Sequence, residues 1–240
     1  MRRLPCKNTV EQTKPMPSIQ RSRLQTRLLR HHAPLLALSA VSVAALYFTR
    51  SYADVLSRAS FATAYPAMVL LSATLLTGPW NVVFGRRNPV SSDLRRDLGI
   101  WAGILSVVHT AVGQNVHLRG RPWLYFVYSA QEHQSFPIRH DLFGISNYTG
   151  AIAILVVAAL LATSNDFALR RLGTPGWKGL QRWNYAAFGL AAIHAVGFLV
   201  SEKQQIPFVV VVAACIVVTL ALQGAGFWRR RAELAGRRRV

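Results

Sequence analysis

Two histidines, His109 and His194, stand inside long apolar stretches that hold no Lys, Arg, Asp or Glu. A neutral imidazole offers one ring nitrogen as a donor and the other as a lone-pair acceptor, so it serves as a metal ligand or as a proton carrier near neutral pH. Inside a membrane an ionisable group is costly and marks function by default. No carboxylate accompanies the pair in any expected span interior, which argues against a proton-relay or cation-coupled transporter. The chain also shows no clear internal repeat of the kind transporters carry.

The elements that must position these histidines follow from composition. The 240 residues include 28 Lys plus Arg but only 9 Asp plus Glu, while 52% are hydrophobic and the formal net charge is +19. Charged residues make up 15% of the chain, against about 25% in an ordinary soluble domain. Six stretches of roughly 16 to 22 residues lack charge altogether, near the length needed to cross a hydrocarbon core of about 30 Å. The expected fold is therefore all-α: a polytopic membrane helical bundle with spans at 34–49, 59–78, 97–117, 145–163, 183–200 and 207–227. Residues 1–33 form a basic tail expected to be disordered, 34–228 the bundle, and 229–240 a second basic tail. The first span is short, but its basic lead exceeds a signal-peptide n-region and no small-x-small cleavage site follows it.

Lys and Arg near span ends are retained in the cytoplasm. Twenty-two of the 28 fall in the N-terminal tail, the second and fourth loops and the C-terminal tail, and six fall on the opposite side. Both termini are thus expected to be cytoplasmic. The tails read as topological signals with attraction to anionic headgroups. A nucleic-acid role has no support, since residues 1–33 contain no aromatic side chain for base stacking.

With this topology the third and fifth spans run the same way. His109 lies 12 residues after Asp97 and His194 lies 11 after Trp183, so both sit about 17–18 Å from the cytoplasmic ends. Two level imidazoles on different helices can share one metal centre, and a haem with two axial histidines needs this arrangement. Ala102, Ser106 and Gly113 share the His109 face, and Ala187, Ala191 and Gly197 that of His194. Such small residues suit either a flat macrocycle or close helix packing.

Other candidates weigh less. His31 and His32 read as interfacial, and His117, His133 and His140 as solvated loop residues with a surface metal site as the alternative. Cys6 and Cys215 are too isolated in sequence for a disulfide framework or a zinc site. The loop at 118–144 carries Trp123, Tyr125, Phe126 and Tyr128, most simply an interfacial belt. Arg119 and Arg121 precede that cluster, and either could pair a haem propionate.

Arg95-Arg96-Asp97-Leu98-Gly99 followed by His109 resembles the third helix of the ferric reductase-like transmembrane domain family. The stretch Ala162-Thr163-Ser164-Asn165-Asp166, then Leu172-Gly173, Trp177-Lys178, Tyr185 and His194, resembles that family's fourth-to-fifth helix region. The similarity covers about residues 60–225. Family members of this size are membrane haem subunits of bacterial periplasmic methionine sulfoxide reductase systems. The resemblance implies a six-helix bundle in the bacterial inner membrane that binds haem b and passes electrons across it, to a partner reductase or ferric iron. It makes His109 and His194 the axial pair nearer the outer face, and the chain an oxidoreductase component.

Two departures qualify what the resemblance implies. The family's fifth helix usually carries a second histidine 13 positions before His194, where this chain has Gln181, so one haem is expected rather than two. No Gly-rich dinucleotide fingerprint is present, and the chain ends about 13 residues after the sixth expected span, leaving no room for the flavin and nicotinamide domain of larger relatives. The electron donor is thus expected to be external, a membrane quinol or a separate flavoprotein. The competing reading is a non-redox scaffold or assembly protein built on the same bundle.

Overall fold

The computed structural model describes residues 25–49, 52, 54–84, 92–118 and 121–237. Cys6, most of the basic N-terminal tail and Arg119 lie outside these residues. Seven helices carry the fold: α1 (Gln25–Thr49), α2 (Val55–Val83), α3 (Ser92–Gly113), α4 (Leu142–Ala162), α5 (Asp166–Gln181), α6 (Asn184–Ser201) and α7 (Ile206–Arg237). Two short 3-10 turns, Pro122–Tyr125 and Ala130–Glu132, sit in the connection between α3 and α4.

Local chemistry fixes the helix starts. Asp54, Asp141 and Asn165 each cap a helix by accepting a backbone N–H three residues on, from Ser57, Gly144 and Ala168. Within the apolar helices the hydroxyls of Thr63, Thr74, Ser106, Thr110 and Ser146 donate back to carbonyls four residues earlier. A hydroxyl satisfied this way enters an apolar environment without an orphaned donor.

α2 is the central element. It packs along α3 and α7 and against α1, and its Ala67, Met68, Leu70, Leu71 and Leu75 form the core with Leu35, Ala102, Leu105 and Phe188. The second tight pair is α4 with α6. Outward faces are apolar, with Leu38, Val41, Ile152, Leu155, Val217 and Leu220 all exposed. Such a surface needs lipid rather than water as its solvent.

Five segments are long and apolar enough to cross a membrane: Gln25–Thr49, Val55–Val83, Leu142–Ala162, Asp166–Ser201 and Ile206–Gly236. α3 falls short of that standard because Asp93, Arg95, Arg96 and Asp97 occupy its first turns and His109 its second half. The segment Asp166–Ser201 joins α5 to α6. Its α5 half is amphipathic and breaks at Gly173, whose φ of 67° is left-handed and costs glycine little.

The expected boundaries move in three places. α1 starts nine residues before the expected 34, and the expected loop before the fifth span is the helix α5. α3 begins at Ser92 rather than at 97, which places Asp97 in its second turn with no exposed surface. There Asp97 accepts from Arg27 Nη2 at 2.5 Å, with His31 Nδ1 at 2.7 Å and His32 Nε2 at 3.3 Å. Trp101 Nε1 in turn donates to His32 Nδ1 at 3.3 Å. The winding of α1 explains the gathering: Leu28–His32 is π-helical, and i to i+5 winding brings residue 32 under residue 27 beside residue 31. His31 and His32 are therefore hydrogen-bonding neighbours of a buried carboxylate, not simply interfacial side chains.

Candidate functional site

His109 and His194 come from helices that scarcely touch. α3 belongs with α2, and α6 with α4, and a cavity of about 320 Å³ opens between them, lined by both histidines. Across it the two imidazole centroids are 6.2 Å apart.

Backbone carbonyls aim the rings. His109 Nδ1 lies 3.0 Å from the carbonyl oxygen of Ser60 on α2, and His194 Nδ1 lies 2.8 Å from that of Ser146 on α4. A carbonyl only accepts, so each Nδ1 carries the proton and donates it, which leaves each Nε2 as a lone-pair acceptor. Among the described residues neither Nε2 has a hydrogen-bond partner. This is how a metal-ligating histidine is oriented: one nitrogen tied to the protein, the other free for the metal.

The spacing fits one shared metal. With nitrogen–metal bonds of about 2 Å, and about 1 Å more from nitrogen to ring centre, two imidazoles on opposite sides of one ion have centroids about 6 Å apart. The residues present therefore fit an axial histidine pair.

The expected small residues divide between two tasks. Ser106, Gly113 and Ala191 line the cavity, whereas Ala102 and Ala187 are buried in helix packing. Gly197 packs so closely on α4 that a Cβ there would fall 1.8 Å from Ser146 Oγ. Sequence reasoning did not single out Gly150 of α4, which also lines the cavity. A Cβ at Gly150 would lie 2.5 Å from His194 Nδ1, so the missing side chain is what admits the ring.

The connection between α3 and α4 closes one end of the site. Tyr125 is 2% exposed, not part of a surface belt. Its hydroxyl donates to the Gly113 carbonyl and accepts from the His117 N–H, both at 3.0 Å, and its ring stacks on Phe143. Trp123 remains exposed. Arg139 organises the loop by donating to the Leu124 carbonyl, Asp141 and Glu132, with its guanidinium over the Tyr128 ring.

The remaining candidates are placed as follows. Arg121 is exposed and does not line the cavity. His117 lies 3.5 Å from Glu202, and His140 packs edge-on against Tyr128. Among the described residues no group of three or more His, Cys, Asp or Glu side chains could hold a metal ion. Gln181 ends α5, where its Oε1 accepts from Asn184 and its Nε2 is buried without a partner. Cys215 is a free thiol within α7.

No protein-family model matches the chain. It is, however, 30% identical over 171 residues to the protein-methionine-sulfoxide reductase heme-binding subunit MsrQ of Salmonella arizonae, a match covering 70% of this chain and 77% of the relative. The MsrQ proteins of Salmonella paratyphi B and Salmonella newport match over the same shares at the same identity. With long apolar helices and a half-buried histidine pair already in place, these matches show that the chain belongs to the MsrQ family of membrane heme-binding subunits.

Proposed function

We propose that this protein is a six-span electron-transfer subunit holding one haem b between His109 and His194. The observation that carries the reading is the histidine pair itself: centroids 6.2 Å apart, each Nδ1 tied to a carbonyl and each Nε2 left free. The sixth span is α3, whose charged first turns sit at the cytoplasmic surface beside α1. The excess of Lys and Arg on that side supports cytoplasmic termini and a bacterial inner-membrane location. The basic tails 1–33 and 229–240 then flank the bundle at 34–228.

In this arrangement the protein's own groups do three things. Ser60 and Ser146 hold the two rings in one tautomer and one orientation through their carbonyls. Gly150 leaves room for the His194 ring, while Tyr125, backed by Phe143, covers the outer end of the cavity. A six-coordinate haem supplies a one-electron carrier rather than an oxygen-binding site. The donor is a membrane quinol or a separate flavoprotein, and the acceptor an extracytoplasmic partner reductase or ferric iron. Arg121 is assigned to a haem propionate, as is Arg119, which lies outside the described residues.

The test is the haem-to-protein ratio and the reduced-minus-oxidised spectrum of purified protein, alongside His109→Ala and His194→Ala. A ratio near one, with haem lost from both folded variants, is the expected result. Well-folded wild type without haem refutes the reading and leaves a membrane scaffold. A ratio near two refutes the single-site count and returns attention to Gln181.

A further inference from the structure

Above the histidine pair the same two chain segments meet a second time. His117 lies eight residues beyond His109 and Glu202 eight beyond His194, each just past the end of its helix. His117 Nε2 is 3.5 Å from Glu202 Oε1, with the side chains 38% and 37% exposed. Both line the cavity that holds His109 and His194.

His117 is not a loose loop residue. Its backbone N–H is bonded to Tyr125. Its ring stacks on Phe198 at 6.3 Å and meets Phe143 edge-on at 5.8 Å. Phe198 also contacts His194, at 4.9 Å. One phenyl ring therefore separates a titratable, water-accessible imidazole from a candidate axial ligand.

We propose that His117, held by Glu202, is a redox-linked proton site at the outer mouth of the haem pocket, a positioning and tuning residue rather than a ligand. The inference rests on the haem reading above. A bound haem would supply the one-electron centre, and each electron that it gained from the donor would remove one positive charge from the pocket. His117 then takes up one proton from the outer aqueous phase, and gives it back when the acceptor removes the electron. Glu202 holds the ring at the mouth, and the phenyl walls at Phe143 and Phe198 shield it from bulk water on one side.

Geometry sets the size of the coupling. Eight residues of helical rise separate His117 from His109 by about 12 Å. Unit charges at that separation, in an effective dielectric of about 20, shift each other's ionisation about tenfold. The haem potential should therefore fall by about 59 mV in total, the one-electron equivalent of tenfold, as pH rises through the deprotonation of His117. The other charged and titratable groups near this mouth are Lys203 after α6, Tyr125, and Arg139 with Asp141 and Glu132 beyond Phe143. On the α2 side stand Tyr52, Asp54 and Arg58.

The experiment is a spectroelectrochemical titration of the purified haem-loaded protein from pH 5 to 9, compared with His117→Gln and Glu202→Gln. Wild type should show the sloping interval. In H117Q the potential should be flat over the same interval, with the axial spectrum unchanged. In E202Q the interval should move, because the ring loses the carboxylate that holds it. If H117Q loses haem, His117→Asn and E202Q carry the comparison. An H117Q curve that follows the wild-type slope overturns the proposal, since the proton then resides elsewhere. An unshifted E202Q curve overturns the pairing. Absence of haem from the wild type fails the underlying haem reading instead, a distinct result.

Discussion

Replacing Gly150 with alanine tests the site through a position that donates nothing to it. The added Cβ would meet His194 at 2.5 Å from Nδ1, 2.8 Å from Cε1 and 3.1 Å from Cγ. Non-bonded carbons settle at about 3.5–4.0 Å, so the ring must retreat by about 1 Å. It has little freedom to do so, because its Nδ1 is committed to the Ser146 carbonyl at 2.8 Å and Phe198 packs on it at 4.9 Å. Overpacking of this kind costs about 1–3 kcal/mol, and disturbing the group that orients a metal ligand lowers metal affinity by about 10–100-fold. We expect Gly150→Ala to fold, with unchanged helical content by circular dichroism, and to lose haem affinity by that factor in a reconstitution titration. Gly189→Ala on the same helix as His194 is the control, since a Cβ there meets nothing within 4 Å. Wild-type haem affinity and spectrum in Gly150→Ala would refute the argument that the empty Cβ position admits the ligand ring.

Two further outcomes follow from features described above. Asp97→Ala removes a fully buried carboxylate from beneath Arg27, His31 and His32. Stranding the charge partner of a buried carboxylate costs about 3–5 kcal/mol, and because Arg27 remains 17% exposed a loss near the lower bound is expected in thermal unfolding in detergent, with an unchanged midpoint counting against the ion-pair account. Arg121→Ala should shift the haem potential if its guanidinium pairs a propionate, and an identical potential and spectrum would withdraw that assignment.

Much of the site was legible before any fold. His109 and His194 stand out because apolar context makes any ionisable group conspicuous, and helical rise alone sets them at one depth. Ser106, Gly113 and Ala191 could be placed on the right faces by the 3.6-residue period. The carbonyls of Ser60 and Ser146 could not, since every residue has one and only packing between distant helices selects which is used. Gly150 was hidden for the same reason: glycine is common in membrane helices, and the clash it avoids belongs to another helix.

Asp97 was misplaced because a charged residue near a span end looks like the boundary. Its partners, at positions 27, 31 and 32, share a face only where the winding departs from 3.6 residues per turn. α5 was read as a loop because Gly173 and Pro175 interrupt its period. The His117–Glu202 contact did leave a signal, the equal eight-residue offset from each cavity histidine, but it gains meaning only when the two helices are known to face each other.

The π-helical turn at Leu28–His32 also sets a rotational phase within α1. Each residue added to or removed from an α-helix rotates everything beyond it by about 100°, so a one-residue change between Arg27 and Ala33 swings Arg27 relative to the span downstream. The extra residue held at Leu28–His32 fixes the phase between Arg27 and the span beyond Ala33, so removing it would turn Arg27 by about 100° relative to Ala33–Thr49 and pull it off Asp97.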